Sequence, residues 1–445
     1  MSGCNNGLPN CITPLPMDAS GKMSDYEFLC WIQASIKNLY NLVKPCYPNS
    51  YFVTPQQFGG NANGVCDCGK AIIKAINSGS PIVYFPKGEY VINEVNGDSL
   101  FLDTAIPMSN INNIMLIGDG LNSVIKAGNM KSGALHMLNM KNCNYITIAN
   151  LTIDGGMDYS SGYQSSDYEC HGIRLDSCNN VIIDNVYVKN TSGYGIGYQK
   201  GSFINLRINN CNIQYTGKDG IDIKNMNNSN VGLIISNTQV INPAQLISDN
   251  QYAQCGIDVR CPGSVIEGCV VRFTTGMEYG NGIRLRVTTE EQGNGGQYST
   301  ISGCSVMGVT SLENSYAYML DDNGCLLSGC TSQRIRGVSI TGNFANVSGV
   351  TITQPNRYGI YNNGKYSVFS NSVITSPTDS NSYGVYLDTD SDYISVIGVV
   401  LSGAFNTAFY NNGHTYLTNG YARNYTALTG GNTTNLNVVN SYPFT

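Results

Sequence analysis

Charge is what this chain has least of: 12% of its 445 residues are Asp, Glu, Lys or Arg, about half the share of an average globular protein. Helical architectures line their exposed faces with such residues, so a mostly helical fold is excluded in favour of turn-rich β structure. Three His (His136, His171, His414) and the lack of any CxxC pair exclude a zinc site of ordinary ligand spacing; Cys66 and Cys68 form the closest Cys pair. No run of about 18 apolar residues exists, so no membrane insertion is expected. A basic start followed by an apolar block is also missing, so export by a Sec signal is not expected. With a net charge of -6 and a pI near 5.1, the chain lacks the surplus of Lys and Arg that nucleic-acid binding requires. The sixteen Cys of a large chain without such a signal read as thiols rather than as a disulfide framework.

What is abundant is Gly (50) and Tyr (30), with a 42% apolar content that excludes wholesale disorder. Residues 24–43 open with Ser24 and Glu27 in a capping-box pattern and carry Phe28, Ile32, Ile36, Leu39 and Val43 as one stripe, which predicts a helix. Residues 1–48 thus read as a small helical N-terminal module. From Tyr51 onward short apolar runs such as PIVYFP, NIMLIGD and YITIANLTI alternate with Asn, Gly, Ser and Asp, the pattern of strands and tight turns. A Gly-Ile or Gly-Val pair recurs at Gly172, Gly195, Gly220, Gly256, Gly282, Gly337, Gly359 and Gly384, in steps of 23, 25, 36, 26, 55, 22 and 25 residues. Ala317-Tyr318 divides the long step. A period near 25 is a solenoid signal, and no helix fits inside the repeat. The expected fold is all-β, a right-handed parallel β-helix over 49–420, with 421–445 as a C-terminal cap or trimer-contact segment. Cys143, Cys178, Cys211, Cys269, Cys304 and Cys330 each precede a strand and are expected to form an internal ladder of small buried side chains.

Phe58-Gly59-Gly60, Asn63-Gly64, Asp67, the Ala/Ile-rich stretch 71–76 and Pro86-Lys87-Gly88-Glu89-Tyr90 together resemble the opening motif of pectate-lyase-superfamily β-helix proteins. That motif runs FGA-x-x-DG-x-x-D, a short helix, a strand and Pro-x-Gly-x-Tyr. Asn63 stands where the motif has Asp. The leader ITPLPMDASGKMSDYEFLCWIQASIKNLYNLV is similar to those of tailspike, appendage and fibre proteins of tailed phages. The resemblance implies a homotrimeric virion tailspike, assembled in the host bacterial cytoplasm and acting at the host cell surface. It would attach to other phage tail proteins through its N-terminus, and bind and cleave a surface polysaccharide or teichoic acid. A noncatalytic receptor-binding tail protein and a polysaccharide lyase are the alternatives. Of the polygalacturonase signatures only Lys218-Asp219-Gly220 finds an echo, which speaks against a pectinase.

In a strand that begins Gly-Ile the Ile points inward and the next residue outward, which aligns an outer column. Arg174, Gly197, Asp222, Asp258 and Arg284 share one place in it; Asp176, Gln199, Lys224, Arg260 and Arg286 share another; His171, Tyr194, Asp219, Cys255 and Asn281 a third. Asp222 and Asp258, one coil apart, with Asp219 at the preceding turn, are the candidate catalytic carboxylates. Neighbouring carboxylates repel, so one should hold a proton at neutral pH unless the nearby Arg residues offset it, the arrangement acid–base glycoside hydrolysis needs. Arg174, His171, Lys224, Arg260, Arg284, Arg286, Tyr194 and Tyr198 are the candidate substrate-binding residues, the Arg forks being suited to anionic groups. Asp154, Asp176 and Glu278 form a secondary acidic set. Hydrolysis requires no cofactor; a lyase reading would place Ca2+ among Asp219, Asp222 and Asp258, with Arg260 as base. A salt-bridge ladder in which Asp and Arg of adjacent coils neutralise one another is the structural alternative.

Overall fold

The computed structural model describes residues 51–96, 104–128, 136–159, 170–224, 231–245, 254–274, 280–286, 295–309, 312, 314–375, 377, 379–413, 415–418, 421–431, 436–439 and 442–443. Met1–Val53 and Thr54–Thr445 are separate units, and the second holds the repeating coils. The helix expected over 24–43, together with the 1–48 module, lies outside the described residues, as do Glu278 and His414.

Strands of successive coils pair in parallel, and each coil contributes three short strands, one to each of three walls. Cys255–Val259, Val265–Glu267 and Val270–Arg272 make up one such coil. The wall that carries most of the candidate residues is built from β1 (His136–Lys141), β2 (Ile173–Asp176), β3 (Ile196–Lys200), β4 (Ile221–Ile223), β5 (Cys255–Val259), β6 (Asn281–Leu285), β7 (Tyr316–Leu320), β8 (Arg336–Ile340), β9 (Tyr358–Asn362), β10 (Tyr383–Leu387) and β11 (Val400–Asn411). Each pairs with the next in this order. The fold is a parallel β-helix. Parallel pairing continues past residue 420, where Tyr421–Gly431 lies against β11 and Leu436–Val439 against Thr415–Thr418.

The inward row of this wall runs Ile173, Ile196, Ile221, Ile257, Ile283, Tyr318, Val338, Ile360, Val385 and Phe409 in continuous register, all of it buried. Burying such a row is the main source of stability, because a single coil cannot cover its own apolar side chains. Gly precedes eight of these ten residues, Ala317 and Ala408 the other two, and the Gly has a packing reason. A Cβ at Gly172, Gly195, Gly220 or Gly256 would lie 2.7–2.9 Å from the backbone oxygen of the next coil. The repeat dipeptide is thus a close backbone approach followed by an anchor.

Corners explain the abundance of Asn and Gly. Asn210, Asn237, Gly268, Gly303, Gly329, Gly349, Asn371 and Gly398 follow one another at one corner with φ between 49° and 63°, the left-handed region that Gly and Asn enter most readily. The Cys residues divide between two corners. Cys143 and Cys178 precede one wall, where the Asn179 N–H donates to the Cys143 carbonyl; Cys211, Cys269, Cys304 and Cys330 precede the next, where the Ser305 and Thr331 N–H groups donate to Cys269 and Cys304. All six are buried thiols, so the single expected ladder is two. Helix α1 (Gly69–Ile76) buries Ala71, Ile72, Ala75 and Ile76 and packs against Thr104–Ser109, as a lid on an end coil would.

Candidate functional site

The outward row of the wall reads Asn139, Arg174, Gly197, Asp222, Asp258, Arg284. Asp222 and Asp258 are direct partners on β4 and β5. Their flanking residues Ile221, Ile223, Ile257 and Val259 are fully buried in the core, so the two carboxylates project from the opposite face of the sheet. Asp219 reaches the same place from the turn before β4, where its Oδ1 accepts the Cys255 N–H. One oxygen from each of the three lies within 4.8 Å of the others.

The three are covered, not open on the outer wall. Relative exposure is 4% for Asp219, 0% for Asp222 and 1% for Asp258. Lys224, Arg260 and Arg286 follow β4, β5 and β6 and stack by backbone bonds, Lys224 N–H to Tyr198, Arg260 N–H to Ile223 and Arg286 N–H to Val259. Their heads close over the carboxylates. Arg260 places Nη2 3.0 Å from Asp258 Oδ2 and Nη1 3.6 Å from Asp222 Oδ1. Arg286 Nη1 is 3.1 Å from Asp258 Oδ2, and Lys224 Nζ is 3.5 Å from Asp222 Oδ2. Gln199, which belongs to the same outer column, donates to Asp222 Oδ2 at 3.0 Å and accepts from Lys224 at 2.6 Å. Asp222 Oδ1 and Asp258 Oδ1 are buried without a hydrogen-bond partner, as are Asn139 Oδ1, Asp176 Oδ1, His171 Nδ1 and Asn281 Nδ2 on the same wall.

The electrostatics separate the carboxylates. Burial, reinforced by Asp222 and Asp258, holds the Asp219 carboxyl well above the ordinary carboxylate range, against the Cys255 N–H and Arg260, and so favours its protonated form. Burial also raises Asp222, against the pull of Arg260 and Lys224. Burial alone would lower the Arg260 guanidinium, but Asp258, Asp222 and Asp219 together carry it above its usual value. A hard cation would find three oxygen donors here, in competition with Arg260, which already pairs with two of them.

The other candidate residues fall in several environments. His171 is buried, with its ring edge-on to His136 and to Tyr194 at 4.8 Å each, and Lys224 Nζ lies 5.3 Å over the Tyr194 ring. Burial, then His136, Arg174 and Lys224, keep His171 neutral. Arg174 pairs with Asp176 at 3.2 Å and Arg284 with Asp321 at 2.6 Å, so these two guanidiniums are already matched. Tyr198 is a correction: it shares the inward parity of Ile196, is fully buried against Phe203, and donates its hydroxyl to the Ser202 carbonyl at 2.6 Å. Asp154 lies on a different wall, where it pairs with Lys189 at 3.2 Å. Sequence reasoning does not single out Gln199, His136 or Asp321 as site residues; column position could have found Gln199 and Asp321, whereas His136 carries no motif.

Comparison with known proteins adds the fold context. No protein-family model and no curated protein matches the sequence. In structure the chain is similar to the N-terminal fragment of bacteriophage phi29 gene product 12, at 16% identity and TM-score 0.58, over 93% of this chain and 69% of that one. It is similar to tailspike protein 3 of bacteriophage CBA120, at 14% identity and TM-score 0.58, over 88% of this chain and 61% of that one. The A-module of the Azotobacter vinelandii mannuronan C-5 epimerase AlgE6 matches at 14% identity and TM-score 0.55, over 88% and 99%. The likeness is one of fold.

Proposed function

We propose that this chain is a phage tailspike that binds and hydrolyses a glycan on the host cell surface, with residues 1–48 as its attachment to other tail proteins and a homotrimer as its working form. The observation that carries the chemistry is the set of three carboxylates within 4.8 Å, one of them biased toward its acid form by burial and another presenting an unpartnered oxygen. Likeness of fold to two phage proteins and to an epimerase named for mannuronan supports the choice of partner.

In this reading Asp219, oriented by the Cys255 N–H, gives its proton to the leaving glycosidic oxygen. Asp258, held through Oδ2 by Arg260, forms a bond to the anomeric carbon through Oδ1 as the bond to the leaving oxygen breaks. Water then displaces Asp258, with Asp219 taking the water's proton. A spacing under about 5 Å favours this retaining course over an inverting one, which needs room for water between the carboxylates. Substrate access requires Lys224 and Arg286, whose side chains are 26% and 36% exposed, to swing outward. The lyase reading is weaker, because a doubly paired Arg260 with a raised pKa is a poor base.

Asp222, fully buried and paired with both Lys224 and Arg260, is the feature that favours the second reading, a spike that binds without cutting. Incubating the full chain with surface polymers of candidate bacteria and sizing the fragments by mass separates the two. Asp219→Asn and Asp258→Asn should each slow fragment release by about 10²–10⁴-fold. Undiminished cleavage by both variants would exclude this site, and intact polymer with the unaltered chain would leave the binding spike.

A further inference from the structure

The outward row does not end with the carboxylates. From Asp258 it continues through Arg284, Met319, Ser339, Tyr361, Tyr386 and Tyr410. Tyr361 is therefore four inter-strand steps, about 19 Å, along the wall. Tyr386 stacks between Tyr361 and Tyr410 at centroid distances of 5.7 and 4.7 Å. A second row, at the first residue of each strand, pairs Tyr316 with Arg336 and Tyr358 with Tyr383. The two rows meet edge to face, as between Tyr358 and Tyr386 at 5.2 Å.

Two guanidiniums sit in this aromatic field. Arg336 Cζ lies 5.4 Å from the ring centres of both Tyr316 and Tyr358, and Arg357 Cζ lies 5.1 Å from Tyr358. Arg174, Arg260, Arg284 and Arg286 each pair with a carboxylate; among the described residues Arg336 and Arg357 pair with none. Arg336 donates Nη2 to Asn314 Oδ1 at 2.8 Å, while its buried Nε has no hydrogen-bond partner. The carboxylate of Asp388 accepts the Tyr361 hydroxyl at 2.7 Å. Two like charges gathered at one ring, with no ion pair of their own among the described residues, repel, and an arriving anion relieves that repulsion. The forked donors suit a planar carboxylate or a phosphate, and the tyrosine rims offer apolar edges and hydroxyls to a sugar ring.

We propose that Tyr316, Arg336, Arg357, Tyr358 and Tyr361 form a holding site for an anionic repeat unit, a sugar acid or a polyol phosphate, of a surface polymer strand, remote from the carboxylates and on the same wall. The inference rests on the glycan reading for the class of ligand, but binding here does not require cleavage.

Affinity electrophoresis of the full chain through gels containing polymannuronate, poly(glycerol phosphate) or neutral mannan tests it. Retardation by one or both polyanions and not by mannan is expected, and the polyanion that retards tells carboxylate from phosphate. Arg336 also supports the rings that enclose it, so Arg357→Gln, outside that sandwich, is the deciding variant. It should weaken retention at least tenfold, with Arg357→Lys keeping part of it and thermal unfolding unchanged. Retention of Arg357→Gln equal to that of the unaltered chain, or no retardation by either polyanion, overturns the proposal. If cleavage still depends on Asp258 in that case, only this site fails; if polyanions bind through Arg357 while Asp258→Asn cleaves normally, only the hydrolytic reading fails.

Discussion

Buried Asp219 and half-buried His136 are titratable groups of one wall, yet their effects on pH dependence run in opposite directions. Asp219 has a raised pKa, so its contribution to stability is complete below the ordinary carboxylate range and is lost as pH rises through the raised value. In the proposed role of proton donor it would give glycan cleavage the same alkaline limb, and Asp219→Asn should remove that limb from the pH–rate profile. His136 is lowered to about 3, by burial first and then by Arg174 and Lys141. Its contribution is complete above its ordinary 6.5 and is lost as pH falls through about 3. Urea unfolding of His136→Gln should therefore show a flatter acid limb across that window, and an unchanged limb would mean that other groups govern acid sensitivity.

At the scale of the strand and its corner, the left-handed row offers a clean measurement. Gly329 has a φ of 59° and nothing within 4 Å of where a Cβ would sit. A substitution there meets backbone strain without a clash. Gly329→Val should lose about 1–2 kcal/mol in urea unfolding, and Gly329→Asn clearly less, since Asn already occupies Asn237 and Asn371 in the same row. Equal losses would point to packing instead of backbone strain. Element by element, much of this was legible in the sequence. The Gly-Ile pairs located the inward row because alternation fixes parity within a strand, and the same parity would have placed Tyr198 inside. Two features were hidden. The Cys residues look alike in sequence because each precedes a strand, and only the walls distinguish their corners. The burial of Asp222 and Asp258 depends on how far Lys224, Arg260 and Arg286 reach across from neighbouring coils, which spacing along the chain does not encode. The Tyr and Arg field around Tyr358 is not legible as a site because it needs register across coils of unequal length, 20 residues from Ala317 to Gly337 and 22 from Gly337 to Gly359.

For the β-helix unit as a whole, coils are stabilised by their neighbours, so inner coils have two supports where end coils have one. Hydrogen exchange should accordingly be slowest along β4 to β8 and faster in Tyr421–Gly431, with α1 protecting the opposite end. A uniform exchange rate would mean that the unit opens all at once. Treatment with a chelator should leave both the exchange pattern and cleavage unchanged if Arg260 supplies the positive charge among the three carboxylates. Loss of cleavage on chelation, restored by Ca2+, would instead identify a metal-dependent reaction. The row from Arg174 to Tyr410 has a further bearing on selectivity. It repeats at a constant pitch of about 4.8 Å, like the teeth of a rack, so a linear ligand stays in phase with it only when its own monomer length is commensurate. Oligomers of one backbone with altered linkages would drift out of mesh along the wall, and affinity should stop growing with length at the point where the two rulers disagree.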